Sequence, residues 1–183
     1  MERRAAVELR AAGDGRTLAG YAAVFNSPSA DLGGFVEIIR PGAFTRSLAA
    51  NSADPLALVQ HRPELVLGRR GAGTLRLAED GRGLAFEVDL PETQAARDLA
   101  VSVMRGDING ASFAFTVPPG GDAWSVRGDA VMRELRDVDL HEITITPTPA
   151  YPDTTVALRA LAGMRRDRPP RLRALQRFLE TAR

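Results

Sequence analysis

A chain of 183 residues, 44% of them hydrophobic, with a formal charge of +1, is long enough to bury one sizeable core without covalent staples. The absence of cysteine excludes disulfides, a thiolate nucleophile and a cysteine-ligated metal site, and two histidines, His61 and His141, are too few for a histidine-rich one. No apolar run reaches the length of a membrane span, and Met1-Glu2-Arg3-Arg4 leads into no signal-peptide core, so neither an anchor nor a secretory leader is expected.

Residues 4–10 and 18–25 read as strands joined by the turn Gly13-Asp14-Gly15. Residues 35–39 are strand-like until Pro41-Gly42 breaks them, and 43–50 suit a short helix. An apolar, extended stretch over 56–60 ends at His61-Arg62-Pro63, where the proline biases Arg62 away from helix and a proline-restricted loop is expected to follow His61. The runs 74–78 and 84–90 flank Glu79-Asp80-Gly81-Arg82-Gly83 and predict a hairpin. Residues 92–104 make the best helix of the body: Pro91 precedes it, Ala95, Leu99 and Val103 fall at helical spacing, and Gly106 ends it.

A strand over 109–117 follows at once, with Phe113, Phe115 and Val117 alternating with Ser112, Ala114 and Thr116. After a Pro/Gly turn at 118–122 come a short strand over 123–127, a turn at Gly128-Asp129 and a long β-rich stretch over 131–146. Pro147, Pro149 and Pro152 stiffen the next segment, and 154–159 reads as a last strand or the start of a helix. Seven arginines against Asp167 and Glu180 then give residues 165–183 a charge of +5, which leaves −4 on the rest of the chain. Leu172, Leu175, Phe178 and Leu179 place an amphipathic helix in that segment. The expected organisation is a domain over 1–160 with a basic tail over 161–183. The expected class is mainly β with helices (α+β): a closed sheet or small β-barrel carrying one or two packed helices.

Three residues have the chemistry of serine hydrolysis, which needs a nucleophile, a base and a group that orients the base. Ser112 follows Gly110-Ala111 on a strand whose other side is aromatic, so small neighbours surround a hydroxyl. His61 stands at a strand end. In the stretch Asp139-Leu140-His141-Glu142-Ile143-Thr144-Ile145-Thr146, strand alternation puts His141 on the face of the isoleucines and Glu142 on the opposite face with Thr144 and Thr146. A serine on a strand edge, a histidine at a strand end and a glutamate on a sheet surface are each ordinary alone.

Several blocks, in order, resemble the prohead maturation proteases of tailed phages, a serine protease family related in fold to the herpesvirus assemblins. They are Gly20-Tyr21-Ala22-Ala23-Val24-Phe25-Asn26; Glu37-Ile38-Ile39-Arg40-Pro41-Gly42-Ala43-Phe44 with Ser47-Leu48; His61 with Leu67-Gly68-Arg69; Asn109-Gly110-Ala111-Ser112-Phe113-Ala114-Phe115; and Leu140 to Thr146 with Pro149-Ala150-Tyr151-Pro152. The resemblance runs from about Leu18 to Val156. It implies a small, largely antiparallel assemblin-like barrel, with Ser112 as nucleophile and His61 as general base. For the third member, where assemblins use a second histidine and the phage enzymes an acidic residue, Glu142 is preferred to His141 because it lies opposite the isoleucines. One departure is Thr144, where the family often has serine.

The implied activity is a serine endopeptidase that cleaves scaffold, or a scaffold-like arm of the major capsid protein, inside an assembling prohead in the bacterial cytoplasm. A gene-transfer particle would use the same enzyme. No cofactor or metal is expected; the partners are capsid protein and scaffold, with self-association and self-cleavage compatible with the family. Two rivals remain. One is a catalytically inactive assembly or scaffolding factor of the same fold, against which the co-occurrence of Ser112, His61 and Glu142 speaks. The other is a nucleic-acid-binding barrel, against which the acidic body and sparse aromatics speak.

Overall fold

A computed structural model describes residues 10–12, 17–29, 31–50, 54–127 and 130–147. Among these, eleven strands and two helices follow one another along the chain, with one helix after the third strand and the other after the seventh. The strands are β1 (Arg10–Ala12), β2 (Thr17–Val24), β3 (Val36–Ile39), β4 (Leu56–Val59), β5 (Arg62–Arg69), β6 (Leu75–Glu79), β7 (Gly83–Asp89), β8 (Gly110–Thr116), β9 (Asp122–Arg127), β10 (Ala130–Leu135) and β11 (Asp139–Thr146). The helices are α1 (Thr45–Ala49) and α2 (Gln94–Met104).

The strands form three sheets, in the orders β1-β2-β7-β6, β3-β10-β9 and β5-β4-β11-β8. All pairs are antiparallel except β3 with β10 and β4 with β11. The mainly β, α+β expectation holds, but the barrel does not form: each sheet ends in edge strands and no ladder among the described residues closes on itself. Bulges interrupt several of the ladders. Register shifts fall between Tyr21 and Ala23, between Ala57 and Leu58, between Leu58 and Val59, and between Leu140 and Glu142. Each such irregularity bends a strand and increases its twist.

The sheets share a core. Leu18, Phe86 and Val88 of the first sheet, Leu135 of the second and Ile143 and Ile145 of the third belong to one buried cluster with Phe44 and Leu99. Buried Ala96, Leu99, Ala100 and Val103 form the inner stripe of α2, at the spacing the sequence predicts. The Thr93 side chain caps this helix by accepting from Ala96 N at 3.3 Å, and Gly106, with φ 80°, follows its end. The hairpin over β6 and β7 forms as expected. Its Gly83 lies so close to β2 that a Cβ would come within 2.0 Å of Ala23 O.

The β-rich stretch over 131–146 forms two strands in two sheets, because Arg136 N and Asp137 N both donate to Gly121 O, at 2.8 and 2.9 Å, and turn the chain between them. One local expectation changes. The segment after His61 is β5, a full strand antiparallel to β4, and not a loop. The expected strand over 4–10 reaches the described residues only at β1. The strand or helix over 154–159 and the amphipathic helix of the tail lie outside them.

Candidate active site

The third sheet carries every residue singled out for hydrolysis. β8 is an edge strand beside β11, in a register that sets Ser112 opposite Thr144, Phe113 opposite Ile143, Ala111 opposite Ile145 and Ala114 opposite Glu142. Directly paired residues share a face. Ile143, Ile145 and Ala111 therefore point into the core, with Phe113 packed against it, and Ser112, Ala114, Glu142 and Thr144 lie on the other face. Phe113 is fixed edge-on against Phe44 with ring centroids 5.4 Å apart, and stacks on Phe115 at 5.1 Å. That aromatic backing fixes which way the serine points. Ser112 is nevertheless buried, at 8% exposure, so its small neighbours do not leave it open to solvent.

His61 reaches this face from the far end of β4. β4 and β5 are joined by Gln60 and His61 alone, both in the left-handed region at φ 51° and 57°. Two consecutive left-handed residues make the hairpin turn that matches strand twist, a conformation that usually selects Asn-Gly. Neither residue here has that ease, so surrounding contacts hold them in place. Gln60 N donates to Ile145 O at 3.1 Å and His61 N donates to Thr144 Oγ1 at 2.8 Å. Thr144 Oγ1 in turn donates to Leu58 O at 3.2 Å, and Thr144 is wholly buried.

The imidazole of His61 turns back along β11 so that its Nδ1 is in hydrogen-bond contact with Glu142 Oε1. With side-chain exposures of 26% and 17%, the pair is sheltered but reachable. A carboxylate on Nδ1 holds the ring in one orientation and makes Nε2 the nitrogen that can exchange a proton with a hydroxyl.

Simple alternation puts His141 on the isoleucine face, but the structure does not place it there. The register shift between Leu140 and Glu142 makes His141 the extra residue of a bulge, so Leu140 and Ile143 both stay buried while His141 is exposed. Its Nε2 shares a hydrogen bond with Thr116 Oγ1 at 3.0 Å. It lines an open groove of about 320 Å³ with Arg46, Asp54 and Asp139. Arg46 there is held by Asp137 and Asp139 at 2.7 Å each. The structure thus gathers His61 and Glu142 in contact, with Ser112 facing the threonine that receives the His61 amide; His141 stands apart. Thr144 carries more of this arrangement than its place in the sequence suggests, where it reads as a residue on Glu142's face and a departure from the serine common in the resembled family. Among the described residues there is no cluster of side chains able to hold a metal ion, and no helix long and apolar enough to cross a membrane.

A family model described as caudovirus prohead serine protease matches residues 5–167, most of the chain. The chain belongs to the caudovirus prohead serine protease family. No match was found among curated proteins or among solved structures. A caudovirus prohead serine protease is a peptidase of phage capsid maturation, and capsid or scaffold proteins are its substrates. Both histidines lie in the matched region, and only His61 touches a carboxylate.

Proposed function

We propose that this prohead protease is a serine endopeptidase of Ser-His-Glu type. It cleaves scaffold, or the scaffold-like arm of the major capsid protein, as a prohead or gene-transfer particle matures. The observation that carries the reading is the contact of His61 Nδ1 with Glu142 on the sheet face that also bears Ser112. In this mechanism Ser112 Oγ attacks the scissile carbonyl while His61 Nε2 takes the hydroxyl proton. The same nitrogen returns that proton to the leaving amine, leaving an acyl-serine. Water, deprotonated by His61, then releases the acid and restores the serine. Glu142 stays ionised and stabilises the imidazolium that forms in each half. The basic segment over 161–183 recruits the enzyme to an acidic scaffold or capsid arm.

The test is co-expression with the capsid protein of the same particle. Wild type is expected to give a capsid or scaffold product with a new terminus, and Ser112→Ala to give none, since loss of a triad serine costs about 10⁶-fold in rate. Full processing by Ser112→Ala would remove the assignment.

A further inference from the structure

We propose that Thr144 is a positioning residue for the hydrolysis, acting through a hydroxyl clamp on the backbone of the turn that carries the base. The inference rests on the reading of His61 and Ser112 given above and goes beyond it.

The turn has a problem that its own sequence does not solve. Gln60 and His61 are both left-handed, and neither is glycine or asparagine. Their amides are tied to β11. One bond is backbone to backbone, Gln60 N to Ile145 O at 3.1 Å, and any residue at 145 would supply it. The other depends on a single side chain. Thr144 Oγ1 accepts from His61 N at 2.8 Å and donates to Leu58 O at 3.2 Å. The hydroxyl sits between a carbonyl and an amide three residues apart, and so closes the turn from outside it. Both hydrogen-bonding roles of the hydroxyl are used, and the residue is fully buried, out of reach of competing water.

The position of Thr144 gives the clamp its consequence. Thr144 is the cross-strand partner of Ser112 and lies two residues from Glu142 on the same strand. Paired side chains of an antiparallel ladder are neighbours at about 5 Å. The base is therefore positioned from the residue that faces the nucleophile, on the strand that carries the carboxylate. A β-branched side chain suits this, because its few rotamers hold Oγ1 still. Loosening the clamp lets the imidazole shift against Ser112 while the surface that receives the peptide is unchanged. The expected signature is a loss in kcat at nearly constant KM.

Two substitutions separate the hydroxyl from the shape. Thr144→Val keeps the shape and drops the hydroxyl; Thr144→Ser keeps the hydroxyl and drops the methyl. Turnover is measured on a peptide spanning the junction cut in co-expression, per folded molecule. Thr144→Val is expected to lower kcat by about 10²-fold with KM nearly unchanged, and Thr144→Ser to stay close to wild type. Adding Gln60→Asn to Thr144→Val, which eases the left-handed turn by another route, should recover part of the loss. Wild-type kcat in the Val variant overturns the proposal. So does a Ser variant as impaired as the Val variant, or a loss explained by unfolding alone. Ser112→Ala, run alongside, distinguishes the cases: if it too cleaves, the site itself is misassigned and the clamp falls with it.

Discussion

An imidazole is an efficient base in serine hydrolysis when its other nitrogen is held, and here Glu142 holds Nδ1 of His61. Replacing the carboxylate by an amide removes the charge that stabilises the imidazolium and leaves the tautomer unfixed. On the proposed mechanism, Glu142→Gln lowers kcat by roughly 10³-fold, less than loss of the serine. His141→Ala stays near wild type, because that ring is turned outward to Thr116. Steady-state rates on one peptide check both, and an inactive His141→Ala with an active Glu142→Gln would reverse the assignment. Alternation alone points to Glu142 over His141, but it puts His141 on the isoleucine face, from which a bulge turns it outward. A bulge leaves no mark in sequence, so the true orientation of His141 was not legible. Nor was the left-handed turn, since Gln60-His61 lacks the Asn or Gly that announces one.

At the scale of elements, the legible ones carry their own local signals. β8 declares itself by strict alternation, and α2 by its apolar stripe between Thr93 and Gly106. β5 escapes sequence pattern because its burial does not alternate: bulges twist it, and Arg62, Pro63 and Glu64 read as loop. The second sheet illustrates another layer invisible to pattern. Arg40, just beyond β3, reaches Glu134 of β10 at 2.5 Å, and Arg136 reaches the same carboxylate at 2.8 Å. The hydrogen bond from Arg40 foremost, then that from Arg136, holds Glu134 down to about 2 from its usual 4.5. Its folded value lies below its unfolded one. The contribution is therefore present above about pH 4.5 and is lost as pH falls toward 2. Glu37 opposes this trend: burial foremost raises its carboxyl, so its contribution declines as pH rises through the raised value. Thermal melts across the acid range should show a shallower decline for Glu134→Gln than for wild type. Parallel curves would mean that the two arginines do not stabilise the fold through this carboxylate.

For the whole molecule, the acidic body and the basic tail are separate by composition: −4 for the body and +5 for residues 165–183. We propose that the tail addresses the enzyme to its substrate and leaves the chemistry to the body. Truncation after Ala162 should then leave the melting temperature and peptide cleavage unchanged while abolishing packaging into shells. A large fall in melting temperature would show instead that Leu172, Leu175, Phe178 and Leu179 cover part of the core. Normal packaging would place recruitment elsewhere in the chain.

The central claim, that Ser112 is a nucleophile activated by His61, is tested most directly by covalent labelling. A fluorophosphonate is applied to the protease assembled with its capsid protein, and the modified peptide is located by mass spectrometry. The account predicts one adduct on Ser112 in wild type and its near-complete loss in His61→Ala, since the base must take the hydroxyl proton for the serine to react. An adduct on another serine, or undiminished labelling of Ser112 without His61, would contradict it.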